Sequence, residues 1–381
     1  MKKILIVGGG IGGLTAMNYL IAQGHDVHLI EKQPDFHPVG AGIMLGINAM
    51  KLLGELGLAE QVINQGQSLQ DFSIVDRKGR FVGMTDAKFM EAETGHKTVA
   101  IHRGVLQTIL SSKLDITQCR FNTEIKQLDQ NSNESVEVTY QDDSTDRFDL
   151  VIAADGIHSP TRKLLSLPST LRYAGYTCWR FVVDAPKDLL AHDKGYEYWG
   201  KGRRFGIVPL GDNQVYCFAT ANSPQNIEEN KTLSTADFKE KFVAFEGEVP
   251  KILNQLSDDD TLIHNDLCDQ MAVRLQKDRV ALLGDASHAA TPNMGQGAAM
   301  AIEDAYVLSQ CLTSESDIPK ALQSYESRRV ARVKLIRDRS HRVGSISQWE
   351  SPFTSAIRNS MLRLTPKQSL SKDLCQLLMD Y

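Results

Sequence analysis

The feature that most narrows the possible folds is Gly8-Gly9-Gly10-Ile11-Gly12-Gly13, set between an aliphatic run, Ile4 to Val7, and an apolar stretch, Leu14 to Gln23. The run is short and apolar throughout, as a strand covered on both faces of a parallel sheet would be. The stretch after the glycines reads as a helix ending near Gly24, and His25 to Glu31 reads as a second strand. Together they make a βαβ unit, in which each glycine of G-x-G-x-x-G has a use. Gly8 permits the tight turn, Gly10 lets a pyrophosphate approach the backbone, and Gly13 lets helix and strand pack closely, with Gly12 in the same turn. The free N–H groups at the helix amino end then face the phosphates. Glu31 ends the second strand eighteen residues after Gly13, with Lys32 beside it. A carboxylate there can accept hydrogen bonds from ribose hydroxyls and disfavours a 2′-phosphate.

Two further strand ends carry polar groups. "DLVIAADGIHSPTR" (Asp149 to Arg162) is a strand followed by Asp155-Gly156, Ser159 and Arg162. "LLGDASHAATPNMGQGAAMAIEDA" (Leu282 to Ala305) is an apolar run, then Gly284-Asp285, then Pro292, Gly295, Gln296, Gly297 and Ala298 opening an alanine-rich helix. An NAD dehydrogenase needs little beyond the first unit to hold its cofactor. Three polar strand ends suit a longer one, and FAD has an adenosine, a pyrophosphate, a ribityl chain and a ring. No second G-x-G-x-x-G unit follows, which argues against a separate nicotinamide domain.

Asn48 to Leu58 reads as a helix, and so does Val105 to Leu114, opening from Arg103. Val136 to Tyr140 begins a hairpin. From Tyr173 to about Asp266 the character is antiparallel sheet, with Phe205 to Leu210 and Val215 to Thr220 flanking the turn Gly211-Asp212-Asn213. The expected fold is α/β: a Rossmann-like FAD-binding domain (1–70, 100–170 and 270–320), an interwoven antiparallel-sheet substrate domain (71–99 and 171–269) and a C-terminal helical segment (321–381). That segment is basic, with Arg328, Arg329, Arg332 and Arg337, and reads as a cap packed on the FAD domain rather than a membrane-surface helix.

Composition excludes some partners. The net charge is −5 and no long basic run occurs, which argues against nucleic acid. No stretch is apolar enough to span a bilayer. The six cysteines are scattered without a Cys-x-x-Cys pair, pointing to a reduced, cytoplasmic protein. No metal-ligand spacing and no Gly-x-Ser-x-Gly elbow occur; His25 and His28 read as packing or surface residues. The lack of a protein nucleophile or base cluster is what one expects when a cofactor carries the chemistry.

The three strand-end motifs together resemble the single-component flavoprotein aromatic hydroxylases, the group of p-hydroxybenzoate, salicylate and urate hydroxylases, with zeaxanthin epoxidase and the tetracycline-inactivating monooxygenases nearby. The resemblance runs from Lys3 to about Arg332. It implies that Asp285 hydrogen-bonds the ribityl chain and that Pro292 and Gly295 to Ala298 lie against the flavin. Arg103 and Gln107 match the family's Arg-x-x-Leu helix on the pyrophosphate side, and Asp155-Gly156 serves FAD and reduced nicotinamide. A helix amino end aimed at the flavin would stabilise the negative charge that reduction places there. His288 belongs to the FAD-binding turn. The implied reaction uses NADH or NADPH and O2 to hydroxylate an aromatic or polycyclic small molecule through a flavin C4a-hydroperoxide, in a monomer or homodimer. A flavin-dependent reductase or dehydrogenase of the same fold, and a non-enzymatic flavin redox module, are the alternatives. Arg204 and Tyr216 fall where urate-hydroxylating members carry an Arg and a Tyr beside substrate. Cys178 and Asn293 stand where those members would have Asn and Asp, which argues against urate.

Overall fold

The computed structural model describes residues 1–36, 41–130, 134–189 and 191–381. Its organising element is a six-stranded sheet in which Lys3–Val7 lies between Asp26–Ile30 and Leu150–Ala153, with Val280–Leu282 beyond, all parallel. The register fixes what the sheet can do. Val7 is opposite both Ile30 and Ala153, and Ala153 is opposite Leu282. The strands therefore end on one line. The glycine turn, Glu31, Asp155 and Asp285 leave the sheet side by side at its carboxyl edge, where open α/β sheets take their ligands.

Both faces of this sheet are covered, which is why its strands are apolar throughout. On one face the helices Ile11–Ala22, Arg103–Ser111 and Gly297–Ser314 share a single core with Ile4, Ile6 and Ile152. On the other a three-stranded sheet packs Val136, Val138, Tyr140 and Phe148 against Leu5, Val7 and Val151. The division expected at residue 321 falls inside the helix Ile318–Ser347. Ala321, Leu322, Tyr325, Val333 and Ile336 of that helix belong to the same core as the first strand, because its apolar positions face inward and have nowhere else to bury.

A second, seven-stranded sheet is mostly antiparallel. Its order is Ile263–Gln270, Leu171–Asp184, Gln214–Asn222, Arg203–Pro209, Lys194–Trp199, Asp71–Asp76 and Phe81–Asp86. One face is backed by the helices Thr235–Phe242 and Val249–Gln255 through Trp179, Phe181, Phe205, Phe238, Phe242 and Phe245. Each such ring, fully buried, contributes about 1.5–3 kcal/mol. The two sheets meet where Gly42 lies against Tyr216; a Cβ at Gly42 would sit 2.3 Å from the tyrosine Cβ, so only glycine allows that approach.

Candidate functional site: a cleft at the sheet edge

The glycine turn is fixed by contacts that admit no side chain. At Gly8, φ is +105° and an added Cβ would lie 2.6 Å from the Ala154 carbonyl oxygen; at Gly13 it would lie 2.0 Å from the Gly8 oxygen, and at Gly12 2.4 Å from Leu283. Gly10 differs, since a Cβ there would meet no protein atom within 4 Å. Its open side faces away from the packed interior, where a ligand can approach. Two side chains fasten the turn. Glu31 accepts the Gly9 N–H at 2.7 Å and the Gln33 N–H at 2.9 Å, one on each carboxylate oxygen. Gln107 donates to the Gly9 carbonyl at 2.7 Å. Each Glu31 oxygen keeps a lone pair for a further donor. Lys32 is exposed beside it.

At the second strand end, Asp155 accepts the Thr161 N–H at 2.9 Å through Oδ2, while its buried Oδ1 has no partner. Gly156 has φ +81° and nothing within 4 Å of an added Cβ. Ser159 caps the next helix through the Arg162 N–H. Arg162 turns inward: it is buried and donates to the carbonyls of Ala286 and Ser287 at 3.0 and 3.3 Å. It thereby ties the second strand end to the third rather than facing a ligand.

At the third strand end, Gly284 has φ +60°, and its N–H donates to Asp304 at 2.9 Å. Asp285 comes next. Its side chain is open to the cleft, yet the enclosing protein raises its carboxyl pKa, with His288 and Arg103 opposing. The carboxylate receives no hydrogen bond from the described residues. Arg103 is its counterpart: also open to the cleft and without a hydrogen bond to the described residues, its pKa lowered by enclosure and by Arg180, with Asp285 opposing. Pro292 is exposed, and Gly295 takes φ +62° with Met44 against it. The helix Gly297–Ser314 has no side-chain cap; Gly297 is open, Ala298 half-buried, and Gln296 is buried, accepting from Asn48 at 3.0 Å.

Behind this wall lies a network that sequence reasoning missed. Glu303 and Asp304 are fully buried. Arg329 donates to Asp304 at 2.7 Å and to Glu303 at 2.8 Å; Arg332 donates to Glu303 at 2.8 Å, Asn48 to Glu303 at 2.7 Å, and His288 pairs with Asp304 at 2.5 Å. Burial alone would raise the Asp304 pKa, but His288, Arg329 and the Gly284 N–H hold it below the usual value. The basic C-terminal stretch is therefore largely inside: Arg329, Arg332 and Arg337 are buried. The available signal was "IEDA", two acids in the middle of an alanine-rich apolar helix.

Above the cleft, Tyr216 is half-buried on the second sheet. Burial and then Cys178 push its phenol pKa up, while Arg180, which reaches its hydroxyl, opposes. Arg204, which the resemblance puts beside substrate, is covered by protein on the second sheet. Its guanidinium donates to Glu197 at 2.9 Å and to the Asn293 carbonyl at 2.8 Å, over the Tyr176 ring at 5.3 Å. Both faces of its strand are covered, which is why an alternating exposed position does not result. Tyr216 belongs to an apolar group with Met44, Phe72, Val182 and Phe218, packed against Leu69, Ala100, Val208 and Leu210, and the half-buried Arg180 is the polar side chain at its hydroxyl.

These residues fit a dinucleotide with a flavin. The open floor at Gly10 and Gly297, the unpartnered Asp155 oxygen, and an Arg and an Asp facing the cleft without hydrogen bonds are each a group awaiting a partner. The family described as "FAD binding domain" matches residues 1–340. The aurachin C monooxygenase/isomerase of Stigmatella aurantiaca is 34% identical over 362 residues, 95% of this chain and 94% of that protein. The 2-heptyl-3-hydroxy-4(1H)-quinolone synthase of Pseudomonas aeruginosa is 33% identical over 371 residues, 96% of this chain and 95% of that protein. The structure of Klebsiella pneumoniae HpxO with FAD and uric acid superposes with a TM-score of 0.92 at 27% identity, covering 100% of this chain and 97% of that one.

Proposed function

Because the chain belongs to the FAD-binding family of single-component flavoprotein aromatic hydroxylases, we propose that it hydroxylates an apolar nitrogen-containing bicycle of the 4-quinolone type. Membership makes it an FAD-dependent monooxygenase, and NAD(P)H use is typical of that family. The observation that carries the choice of ring is the wall around Tyr216. Met44, Phe72, Val182 and Phe218 would suit an apolar ring with an alkyl substituent, Arg204 is already neutralised by Glu197, and Arg180 with the Tyr216 hydroxyl would meet a single ring carbonyl. A polar purine would bring several donors and acceptors to this wall, more than Tyr216 and Arg180 can meet, and each one left unpaired costs roughly 1–3 kcal/mol. The relatives that match over 95% and 96% of the chain include a quinolone synthase, which supports the same reading.

The net reaction is ring C–H, O2, NAD(P)H and a proton giving ring C–OH, NAD(P)⁺ and water. FAD, when bound, supplies the two-electron acceptor for NAD(P)H and the site of oxygen activation. In our reading Gly8, Gly10, Gly12 and Gly13 present the helix amino end to the pyrophosphate, and Arg103 supplies the countercharge. Gln107 holds the turn, and Glu31, with Lys32 beside it, receives the ribose. Asp285 accepts from ribityl hydroxyls, Asp155 and Gly156 border the middle of the cofactor, and Pro292 with Gly295, Gln296, Gly297 and Ala298 lines the ring. The residues 71–99 and 171–269 form the substrate roof. Tyr216, its pKa raised, stays a phenol at neutral pH and donates to a substrate oxygen. The six free cysteines support a cytoplasmic location.

The test is NAD(P)H oxidation by the holoenzyme with a 2-alkyl-4-quinolone or with urate, the product weighed for one added oxygen. The quinolone should accelerate oxidation and gain the oxygen. Acceleration by urate alone would overturn the ring assignment.

A further inference from the structure

Met44 stands where the two walls of the cleft meet. It lies on the strand Gly42–Leu45, and Gly42 packs on Tyr216 of the second sheet. Side chains alternate along a strand, so Met44 shares the face of Gly42 that meets this tyrosine. Met44 is accordingly grouped with Phe72, Val182, Tyr216 and Phe218. On its other side, the Met44 methyl is 3.2 Å from the position a Gly295 Cβ would take. One half-buried thioether therefore borders both the glycine turn read as the flavin seat and the apolar wall read as the substrate site. No other methionine is placed so. Met294 belongs to the same turn as Gly295 but packs on the core of the FAD domain, and Met361 is 66% exposed on the helix Pro352–Leu364.

A thioether is soft and polarizable, and it gives up two electrons to an electrophilic oxygen to become a sulfoxide. The hydroxylation read above delivers such an oxygen to an electron-rich ring between these two walls. We propose that Met44 is a site of self-oxidation: when no substrate ring fills the cleft, its sulfur takes the oxygen atom. The S–O bond forms as the O–O bond breaks. O2 takes four electrons, two from NAD(P)H and two from the sulfur. Its second oxygen leaves as water, with one hydrogen delivered as hydride and one as a proton. The sulfoxide sets a polar acceptor into an apolar wall, where an alkyl-bearing ring cannot pair it. Substrate KM should then rise while FAD stays bound, so turnover without substrate shuts the substrate wall and leaves the cofactor seat intact. The inference rests on the reading of Gly295 as part of the flavin seat and of the Tyr216 group as the substrate wall.

The experiment is turnover of the FAD-loaded enzyme with NAD(P)H in air, without substrate and with catalase to remove free peroxide, followed by digestion and mass spectrometry. Met44 should gain one oxygen, in a yield about tenfold or more above Met294 and Met361, since susceptibility otherwise follows exposure. Under heavy-isotope O2 the added atom should be heavy. Reducing the bound FAD with light and EDTA and then admitting O2 should give the same modification, so slow oxidation of NAD(P)H alone leaves the test intact. After this treatment the KM for a 2-alkyl-4-quinolone should be about threefold higher or more, for the unpaired acceptor, and methionine sulfoxide reductase should restore it. Met44→Leu, which keeps the bulk and loses the sulfur, should show no such rise. An unmodified Met44, or equal oxidation of Met294 or Met361, would overturn the proposal. A hydroxylated quinolone beside an unmodified Met44 sinks this inference alone; an oxidised Met44 beside an unreacted quinolone sinks the ring assignment alone.

Discussion

The floor and the roof of the cleft are prepared in opposite ways. The floor is backbone: three strands ending in register, glycines that tolerate no side chain, and an uncapped helix amino end. The charged side chains it shows to the cleft, Arg103 and Asp285, form no hydrogen bond with the described protein. The roof is side chain, and the terminal nitrogens of its buried arginine are already committed, although Arg180 Nε, Arg204 Nε and the Thr220 hydroxyl have no partner among the described residues. Arg204 is spent on Glu197 and Asn293, and Asn293 in turn donates to Tyr176, Thr291 and the Ser340 carbonyl at 2.9 Å each. A floor of unpaired groups is built to bind. A roof whose main arginine is paired keeps a shape, leaving recognition to apolar surface, a few hydroxyls and Arg180.

The largest effect should come from what stiffens the floor. Arg329→Ala leaves Glu303 and Asp304 buried with Arg332, His288 and Asn48 as remaining partners. Removing one partner of a buried ion pair costs about 3–5 kcal/mol. Thermal melting at neutral pH should show a large drop in Tm with FAD bound. The sign with pH follows from Asp304, whose folded pKa is held below its unfolded value of about 3.9. Its contribution is present in full above that value and is lost as pH falls through the lower, folded one. The gap between variant and wild type should therefore narrow only below about pH 4. A gap that already narrows at pH 6 would place the strength of the network elsewhere.

Asp285→Ala is the next step down and acts on binding rather than on the fold. A lost hydrogen bond between a charged acceptor and a hydroxyl costs roughly 1.5–3 kcal/mol, or about ten- to a hundred-fold in affinity. Titrating the apo-protein with FAD should give that loss without a change in melting of the apo form. An unchanged affinity would remove Asp285 from the floor.

The same contrast explains what was legible in the sequence. The floor was readable because backbone demands are written locally: Gly8, Gly13 and Gly284 must be glycine whatever surrounds them, and buried strands must be apolar. The network behind it was not, because Arg329 and Arg332 meet Glu303 and Asp304 across a helix-to-helix packing that no local pattern states. Read singly, the arginines look like a basic surface; read with two acids inside "AAMAIEDAYVL", they are its counterions. The burial of Arg204 was not legible for a related reason. Arg203 and Arg204 are adjacent in sequence, yet the first is exposed and the second buried, and which of the two faces inward depends on Glu197 of the neighbouring strand. The half-buried apolar residues grouped with Tyr216 come from strands of two different sheets, so only the folded chain collects them.

The smallest effect should be at the roof, and it tests whether the roof does chemistry. Burial, and then Cys178, raise the pKa of Tyr216 above that of an ordinary phenol, against the pull of Arg180. The group is thus protonated throughout the neutral range and can donate a hydrogen bond but not take up a proton. Tyr216→Phe removes a neutral donor to substrate together with the hydroxyl that Arg180 reaches, and keeps the ring that packs on Gly42 and Phe218. The expected loss is about 0.5–1.5 kcal/mol, a rise in substrate KM of roughly two- to tenfold, with kcat and its pH profile between about pH 6 and pH 9 little changed. FAD content should not move, since Tyr216 belongs to the other wall. A variant that loses kcat by orders of magnitude, or whose pH profile loses a limb, would make Tyr216 a proton carrier. The roof would then take part in the chemistry instead of only shaping the space above the floor.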